Sequence, residues 1–510
     1  MSEPHTPTHI QIAIIGSGFG GLGTAIQLKQ HGIHDFVILE RAGDVGGVWR
    51  DNRYPGAACD VESHLYSFSW APNPQWSRSF SPQHEIWAYL QRCAKEFGIL
   101  PHIRFHHEVR EAAWDDTAGC WQIDTSQGTY TAAVLVAAAG ALSEPALPKL
   151  PGLDRFTGTA FHSANWNHDY DLGGRRVAVI GTGASAIQFV PKIQPHVAQL
   201  YVFQRTPPWV MPRPDRPLSL RERRLMERFP IVQQAQRAWI YAVREFFGGS
   251  FRNPRLMKYM ERIARQHLEA QVPDPELRAK LTPTYTIGCK RILISNDYLP
   301  ALSKPNVEVV TEGIREVREA SIVTHDDTER SVDALVFGTG FQVTEFPFGK
   351  RIRGRSGRTL SETWGRSPQA HLGTTVTGFP NLFLVQGPNT GLGHTSVIVM
   401  IEAQIAHIVG AVRYMQRHGV AAIEPRREAQ AAFVADVDKH MRGTVWAAGG
   451  CNSWYIDATG RISSLWPGST MHFRRRVARF DPREYHIMHC TDRSMPLPLK
   501  QEAHTTAVRG

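Results

Sequence analysis

Two glycine-rich turns, Gly16-Ser-Gly18-Phe-Gly-Gly21 and Gly181-Thr-Gly183-Ala-Ser-Ala186, constrain this chain more than any other feature. A G-x-G-x-x-G spacing is common by chance and gains meaning only in strand–turn–helix–strand order. Apolar patterning predicts that order around the first turn, with a strand over 11–15, a helix over 22–31 and a strand over 36–39. The order repeats around the second turn, with strands over 177–180 and 200–203. Gly16 permits the tight turn, Gly18 lets a pyrophosphate approach the backbone, and Gly21 lets the helix pack against the strand. The helix N-terminus then offers its free N–H groups to the phosphates.

The two units differ where they would read a ribose. Glu40 closes the second strand of the first unit, where a carboxylate can accept hydrogen bonds from a ribose diol. The second unit has Gln204-Arg205-Thr206 at that place. A carboxylate there would repel a ribose 2′-phosphate, whereas Arg205 can pair with it, so NADPH is expected rather than NADH. Ala186 replaces the third glycine and holds helix and strand slightly further apart. A chain with two such cradles can keep one redox cofactor and admit the other as reductant, which is the wiring of a flavoprotein oxygenase or reductase.

Length and composition narrow the choice. At 510 residues the chain is expected to form two or three domains. The polar N-terminus lacks the basic-then-apolar layout of a signal peptide. No run of the sequence approaches the ~20 apolar residues of a bilayer span. A cytoplasmic location without a membrane span is therefore expected. The six cysteines are scattered with no C-x-x-C or metal-ligand spacing, so neither a metal site nor a disulfide framework is expected. The missing C-x4-C pair also argues against a disulfide reductase. Formal net charge is +10, but Lys and Arg are dispersed and the densest cluster is Arg474-Arg475-Arg476, so nucleic-acid binding is not expected.

The expected fold class is α/β, with two Rossmann-like dinucleotide-binding domains and a helical insertion in the second. The first domain would take residues 1–150 and 336–481, with the second over 151–335 between them and a polar tail over 482–510. Pro145, Pro148 and Pro151-Gly152 mark the crossover. Apolar residues at helical spacing place the insertion at about 213–280. It could pack onto the second domain or wall a substrate cavity. Strands are expected over 307–310 and 334–337, and a last helix over 395–416. Aromatics in the insertion (Trp239, Tyr241, Phe246, Phe247, Tyr259) and in the loop over 342–348 (Phe346, Phe348) are compatible with a bulky or aromatic substrate.

Between the two cradles lies Phe156-Thr-Gly158-Thr-Ala-Phe-His162-Ser-Ala-Asn-Trp166. Its fixed positions match the F-x-G-x-x-x-H-x-x-x-W signature, and the chain resembles the type I Baeyer–Villiger monooxygenases. A second signature of that family is complete from Gly46-Gly47-Val-Trp49 through Asn52, Tyr54-Pro55-Gly56 to Asp60. Likeness extends from the strand at Ile10 to about Phe480, and Gly288-Cys-Lys290-Arg291 and Asn452-Ser-Trp454-Tyr455 are most similar to the branch acting on aryl ketones and steroids. The sequence departs from well-known members at Asn167, Ile292 and Ala58, so substrate preference is not carried over from any one relative.

The resemblance implies FAD in the first domain and NADPH in the second. It also implies a peroxyflavin that attacks a ketone and inserts one oxygen atom beside the carbonyl. Arg291 matches the family's active-site arginine, and Asp60 the carboxylate that orients it. A guanidinium suits a site that must stabilise negative charge without giving up a proton. By the same resemblance Lys290 joins Arg205 and Thr206 on the 2′-phosphate, and Trp454 contacts the nicotinamide nucleotide. Trp49 and Tyr54 are expected to frame the flavin, with aromatic core packing as the alternative, and the segment from Gly387-Pro388-Asn389 to Thr395 resembles the one that closes over the flavin. His162, beside the crossover prolines, reads as a structural rather than a catalytic histidine. Three alternatives stay open: a sulfur- or nitrogen-oxidising flavin monooxygenase, an NADPH oxidase releasing peroxide, and a non-catalytic redox-sensing flavoprotein. Ketone identity, stereochemistry and oligomeric state are not readable from the sequence.

Overall fold

The computed structural model describes residues 7–489 apart from Asn253. Its centre is the strand Thr8–Ile15, whose Ile12, Ala13 and Ile14 are fully buried. On one side it pairs in parallel with Phe36–Leu39, and on the other with Gly128–Ala137. The chain thus leaves the same strand towards opposite edges of the sheet, which opens a crevice at the strands' C-terminal ends. The sheet continues through Ile103–Arg104 beyond Phe36–Leu39 and, on the other flank, as an antiparallel run of Cys120–Thr125 and Val109–Asp115. Leu382–Leu384 also adds in parallel to Gly128–Ala137, so a late segment of the chain completes the first sheet.

The helix Phe19–Gln30 follows the first glycine turn. A β-carbon at Gly21 would stand 1.8 Å from the Gly16 carbonyl oxygen, so only glycine allows this helix–strand contact. Against the same helix packs Val397–His418, with Leu22, Ala25, Ile401 and Ile405 in one apolar cluster. At 22 residues that helix is long and apolar enough to cross a bilayer, contrary to the expectation that no stretch comes close. Its place in the core accounts for the composition.

The second unit is a five-stranded, wholly parallel sheet in the order Val307–Val310, Gln199–Phe203, Arg176–Ile180, Ala334–Phe337, Thr159–His162. The expected α/β class with two Rossmann-like units is the fold observed. Helices Leu220–Arg228, Pro230–Gly248, Pro254–Gln271 and Pro275–Lys280 occupy the region of the insertion.

Three expectations are corrected. The helix Val397–His418 is not the last, because Arg427–Met441 and Thr470–Val477 follow it. The stretch after Pro482 is not a patternless tail from its start, since Tyr485–His489 pairs with Val420–Pro425. Tyr485 is the anchor: it is fully buried, and its hydroxyl bonds His407 Nε2 at 2.9 Å and Thr375 Oγ1 at 3.1 Å. The remainder of that tail, 490–510, lies outside the described residues. Finally, Cys289 and Cys451 form a disulfide although 162 residues separate them in sequence. Spacing rules detect pairs that are close in the chain, and this pair is brought together only by the tertiary fold.

Candidate active site

A cavity of about 1500 Å³ is lined by residues of both units and reaches both glycine turns. Gly16, Gly18, Gly181 and Gly183 all border it. At Gly18 and Gly183 the nearest atom to an added β-carbon is 3.8 Å away, so each side chain is missing where a phosphate needs room. Gly21 and Ala186 stand behind the turns, where they set the packing of helix on strand. These cradles fit two dinucleotides.

Glu40 also borders the cavity, but its carboxylate already has four protein donors. Oε2 accepts from the Ser17 amide at 2.9 Å and the Ser17 hydroxyl at 2.6 Å. Oε1 accepts from the Ala42 amide at 2.9 Å and Arg50 Nη1 at 3.0 Å. Ser17 and Arg50 thus border the cavity and fix Glu40, and no sequence rule had singled them out.

At the other cradle, Arg205, Thr206 and Lys290 border the cavity together. Burial, and then the charge of Arg205, hold the Lys290 ammonium below its usual value. Two cations facing one another at a cavity wall fit a doubly charged phosphate better than they fit an empty surface. Trp454 borders the cavity and is 46% exposed. Trp49 and Tyr54 border it too, with Trp49 Nε1 donating to the Tyr66 hydroxyl at 3.1 Å.

Arg291 and Asp60 meet where the cradles converge. Nε of Arg291 donates to Asp60 Oδ2 at 2.8 Å and Nη2 donates to Oδ1 at 2.7 Å, a bidentate pair with both side chains bordering the cavity. The Asp60 charge raises the Arg291 guanidinium further above its ordinary value, against the opposing effect of burial. Burial pushes the Asp60 carboxyl up, but the charge and hydrogen bonds of Arg291 outweigh it and hold the group below the usual carboxylate range. Both stay ionised near neutrality. Asp60 thus engages Nε and Nη2 of Arg291. The fully buried Tyr455 phenol lies within the field of Arg291, and burial pushes it up to about 12.

Several sequence expectations are placed elsewhere. Asn389 does not border the cavity. Its backbone is left-handed (φ 58°), Nδ2 donates to the carbonyls of Ile462 and Leu465 at 2.9 Å, and Oδ1 accepts from Arg461 at 2.8 Å. It fixes the loop, while its neighbours Gly387, Thr390, Gly391 and Thr395 face the cavity. His162 accepts from the Ala164 amide at 3.1 Å through Nδ1 and is buried, in keeping with a structural role. Trp166 packs on Phe161 and Phe189. The insertion aromatics do not border the cavity: Trp239, Phe246 and Tyr259 are 70%, 80% and 64% exposed. Phe346 and Phe348 do border it.

Comparison with known proteins agrees with this geometry. The flavin-binding monooxygenase-like family model matches residues 9–352. A Baeyer–Villiger monooxygenase of Streptomyces coelicolor is 53% identical over 94% of this chain and 93% of its own length. One from Pseudomonas aeruginosa is 49% identical over 96% and 94%. The crystal structure of cyclohexanone monooxygenase from Rhodococcus sp. Phi1 bound to NADP+ is similar with a TM-score of 0.86 at 30% identity, covering 95% of this chain and all of that one. Steroid monooxygenase bound to NADP gives 0.83 at 30% identity, covering 94% of this chain and 100% of that one. The chain belongs to the flavin-binding monooxygenase-like family and, within it, to the Baeyer–Villiger monooxygenases.

Proposed function

We propose that this protein is an NADPH- and O2-dependent FAD monooxygenase that converts a ketone to an ester or lactone. The observation that carries the reading is the bidentate Arg291–Asp60 pair at the meeting point of two nucleotide cradles. The Gly16–Gly18 turn would hold FAD and the Gly181–Gly183 turn NADPH, cofactors that together would supply the electrons for activating dioxygen. Arg291 would aim N–H donors at the negative charge carried by the attacking oxygen and, as that oxygen bonds to the carbonyl carbon, at the charge that passes to the former carbonyl oxygen. Its proton does not leave, because Asp60 stabilises the charged form. Asp60 occupies two of the donors and fixes the plane of the guanidinium. Arg205 and Lys290 hold the 2′-phosphate. Phe346 and Phe348 offer an apolar wall to a bulky ketone, and a cytoplasmic setting, with soluble NADPH at hand, belongs to the same proposal.

The test uses the purified yellow protein. It is reduced anaerobically with NADPH, mixed with 18O2 and offered ketones and sulfides in parallel. The expected result is an ester carrying one labelled oxygen, with flavin reoxidation accelerated by ketone. Labelled sulfoxide without ester would move the function to heteroatom oxidation. Stoichiometric hydrogen peroxide without product from any member of the panel would make the protein an NADPH oxidase.

A further inference from the structure

Asp60 closes a loop, 54–60, that belongs to the first unit but is gripped by the second. On its inner side the loop pairs with its own unit: Cys59 N–H donates to the Ser81 carbonyl at 2.9 Å and Gln83 N–H to the Ala57 carbonyl at 2.9 Å. The Ala58 peptide faces the other way. Its N–H donates to Gln188 Oε1 at 3.3 Å, and its carbonyl accepts from Gln188 Nε2 at 3.0 Å. The same Oε1 accepts from the Tyr54 hydroxyl at 3.0 Å. One side-chain amide therefore stands in for a neighbouring strand and satisfies both backbone groups of Ala58. Contact is close along the whole loop: a β-carbon at Gly56 (φ 81°) would come within 2.7 Å of the Gln188 carbonyl oxygen. Arg213, also from the second unit, donates to the Cys59 carbonyl at 3.3 Å.

Gln188 sits on the helix Ala186–Ile193, which opens directly from the second glycine turn. The next residue, Phe189, is fully buried between Trp166 of the F-x-G-x-x-x-H-x-x-x-W motif (5.3 Å between ring centres) and Tyr54 (6.0 Å). The helix can hardly turn without moving Tyr54 and Ala58, and Ala58 is two residues from the carboxylate that orients Arg291.

We propose that Gln188 is a positioning residue, whose amide clamps Ala58 and Tyr54 and so sets where Asp60 holds Arg291. This rests on the function proposed above, and it assigns Gln188 no contact with reacting atoms. The clamp links the helix that receives the second nucleotide to the ion pair at the reacting centre. Displacement by about 1 Å at such a centre can cost on the order of 100-fold in rate. Loss of the clamp should therefore harm oxygen insertion more than it harms flavin reduction, which needs the nucleotide but not the Arg291 geometry.

The experiment compares wild type with Gln188→Leu, which keeps volume and removes the amide, and with Gln188→Glu, which keeps the two acceptor bonds and loses the donor. Two readouts are taken on each: hydrogen–deuterium exchange by peptide, and the ester formed per NADPH consumed. In Gln188→Leu, exchange should rise about tenfold or more in peptides covering 56–60 and also rise in 289–293, with the Thr8–Ile15 strand unchanged. The ester-to-NADPH ratio should fall at least about tenfold further than the flavin reduction rate does, with Gln188→Glu intermediate in both readouts. Exchange confined to 56–60 with an unchanged ester ratio would overturn the proposal, and so would equal losses of reduction and oxygenation. If Gln188→Leu does not fold, a wild-type ratio and wild-type exchange in Gln188→Glu overturn it alone. If wild type itself makes no ester, the functional reading falls while exchange at 289–293 still decides whether Gln188 places the pair.

Discussion

Arg291 combines two properties that a lysine cannot copy, a fixed planar fork and a charge held by Asp60. Arg291→Lys is expected to lower ketone oxygenation about 100-fold or more, the scale seen when one oriented donor to developing negative charge is removed. Reduction of the flavin by NADPH should fall far less, and rapid mixing of the two half-reactions separates these rates. At the second cradle, Arg205→Ala and Lys290→Ala should each raise KM for NADPH about 10- to 100-fold, the worth of a charge-assisted hydrogen bond. KM for NADH should move little, so the ratio of the two constants is the measurement. How much of this was legible depends on the residue. Gly16, Gly18, Gly181, Gly183 and Arg205 follow from the backbone and charge needs of a phosphate. Arg291 and Asp60, 231 residues apart, are visible only through motif resemblance, because no spacing rule spans such a distance. Asn389 was misassigned for a physical reason: its neighbours face the cavity, but a left-handed backbone turns its own side chain into the loop. Gln188 carried no signal, since an amide on the first turn of a helix reveals nothing of the peptide it will meet.

At the scale of elements, periodicity located the strands and helices, and tertiary contacts decided their use. The strands Phe36–Leu39, Val307–Val310 and Ala334–Phe337 fall where the apolar runs predict them. The Tyr485–His489 strand was missed because it is only five residues long, shows no strict alternation, and has Tyr485 as its only buried residue. In the insertion, helices lie where periodicity put them, and of the two roles left open for it the exposed Trp239 and Phe246 do not support walling the cavity. The Cys289–Cys451 bridge ties two loops, one leading into Lys290-Arg291 and the other into Trp454-Tyr455. Cross-links of this kind typically contribute about 2–4 kcal/mol. Cys451→Ser should therefore lower the thermal midpoint, and a reductant should lower that of wild type but leave the variant unchanged. Equal midpoints with and without reductant in wild type would mean that the bridge contributes nothing to stability.

On the scale of the whole molecule, the first unit is closed only after the second has been built: Leu382–Leu384 returns to the first sheet once the chain has passed through the second. A fold closed in this way buries polar groups outside the cavity lining, and two of its buried histidines contribute an acid sensitivity. His64 is buried at a contact with Gln233, and His407 lies in the core beneath Tyr485. Burial holds each at about 4, below the ordinary value of 6.5. In its neutral form His407 can donate from Nδ1 to the Val477 carbonyl and accept from the Tyr485 hydroxyl at Nε2. Between those two values the unfolded chain binds more protons than the folded one, so stability falls as pH drops below about 6.5 and keeps falling towards 4. The loss reaches on the order of 3 kcal/mol per imidazole by pH 4. Carboxylates act lower down. Glu484, held at about 2 chiefly by its hydrogen bond from His371, has its folded value below its unfolded one, so its contribution is intact above the ordinary carboxylate range and is lost as pH falls through 2. Urea unfolding at about pH 7.5 and pH 5 thus spans the range in which the histidines act, with a lower midpoint expected at the acid value. His407→Gln, which keeps one donor and one acceptor without a titrating proton, should recover part of that difference, and an unchanged pH dependence in the variant would assign the sensitivity to His64 or to other groups.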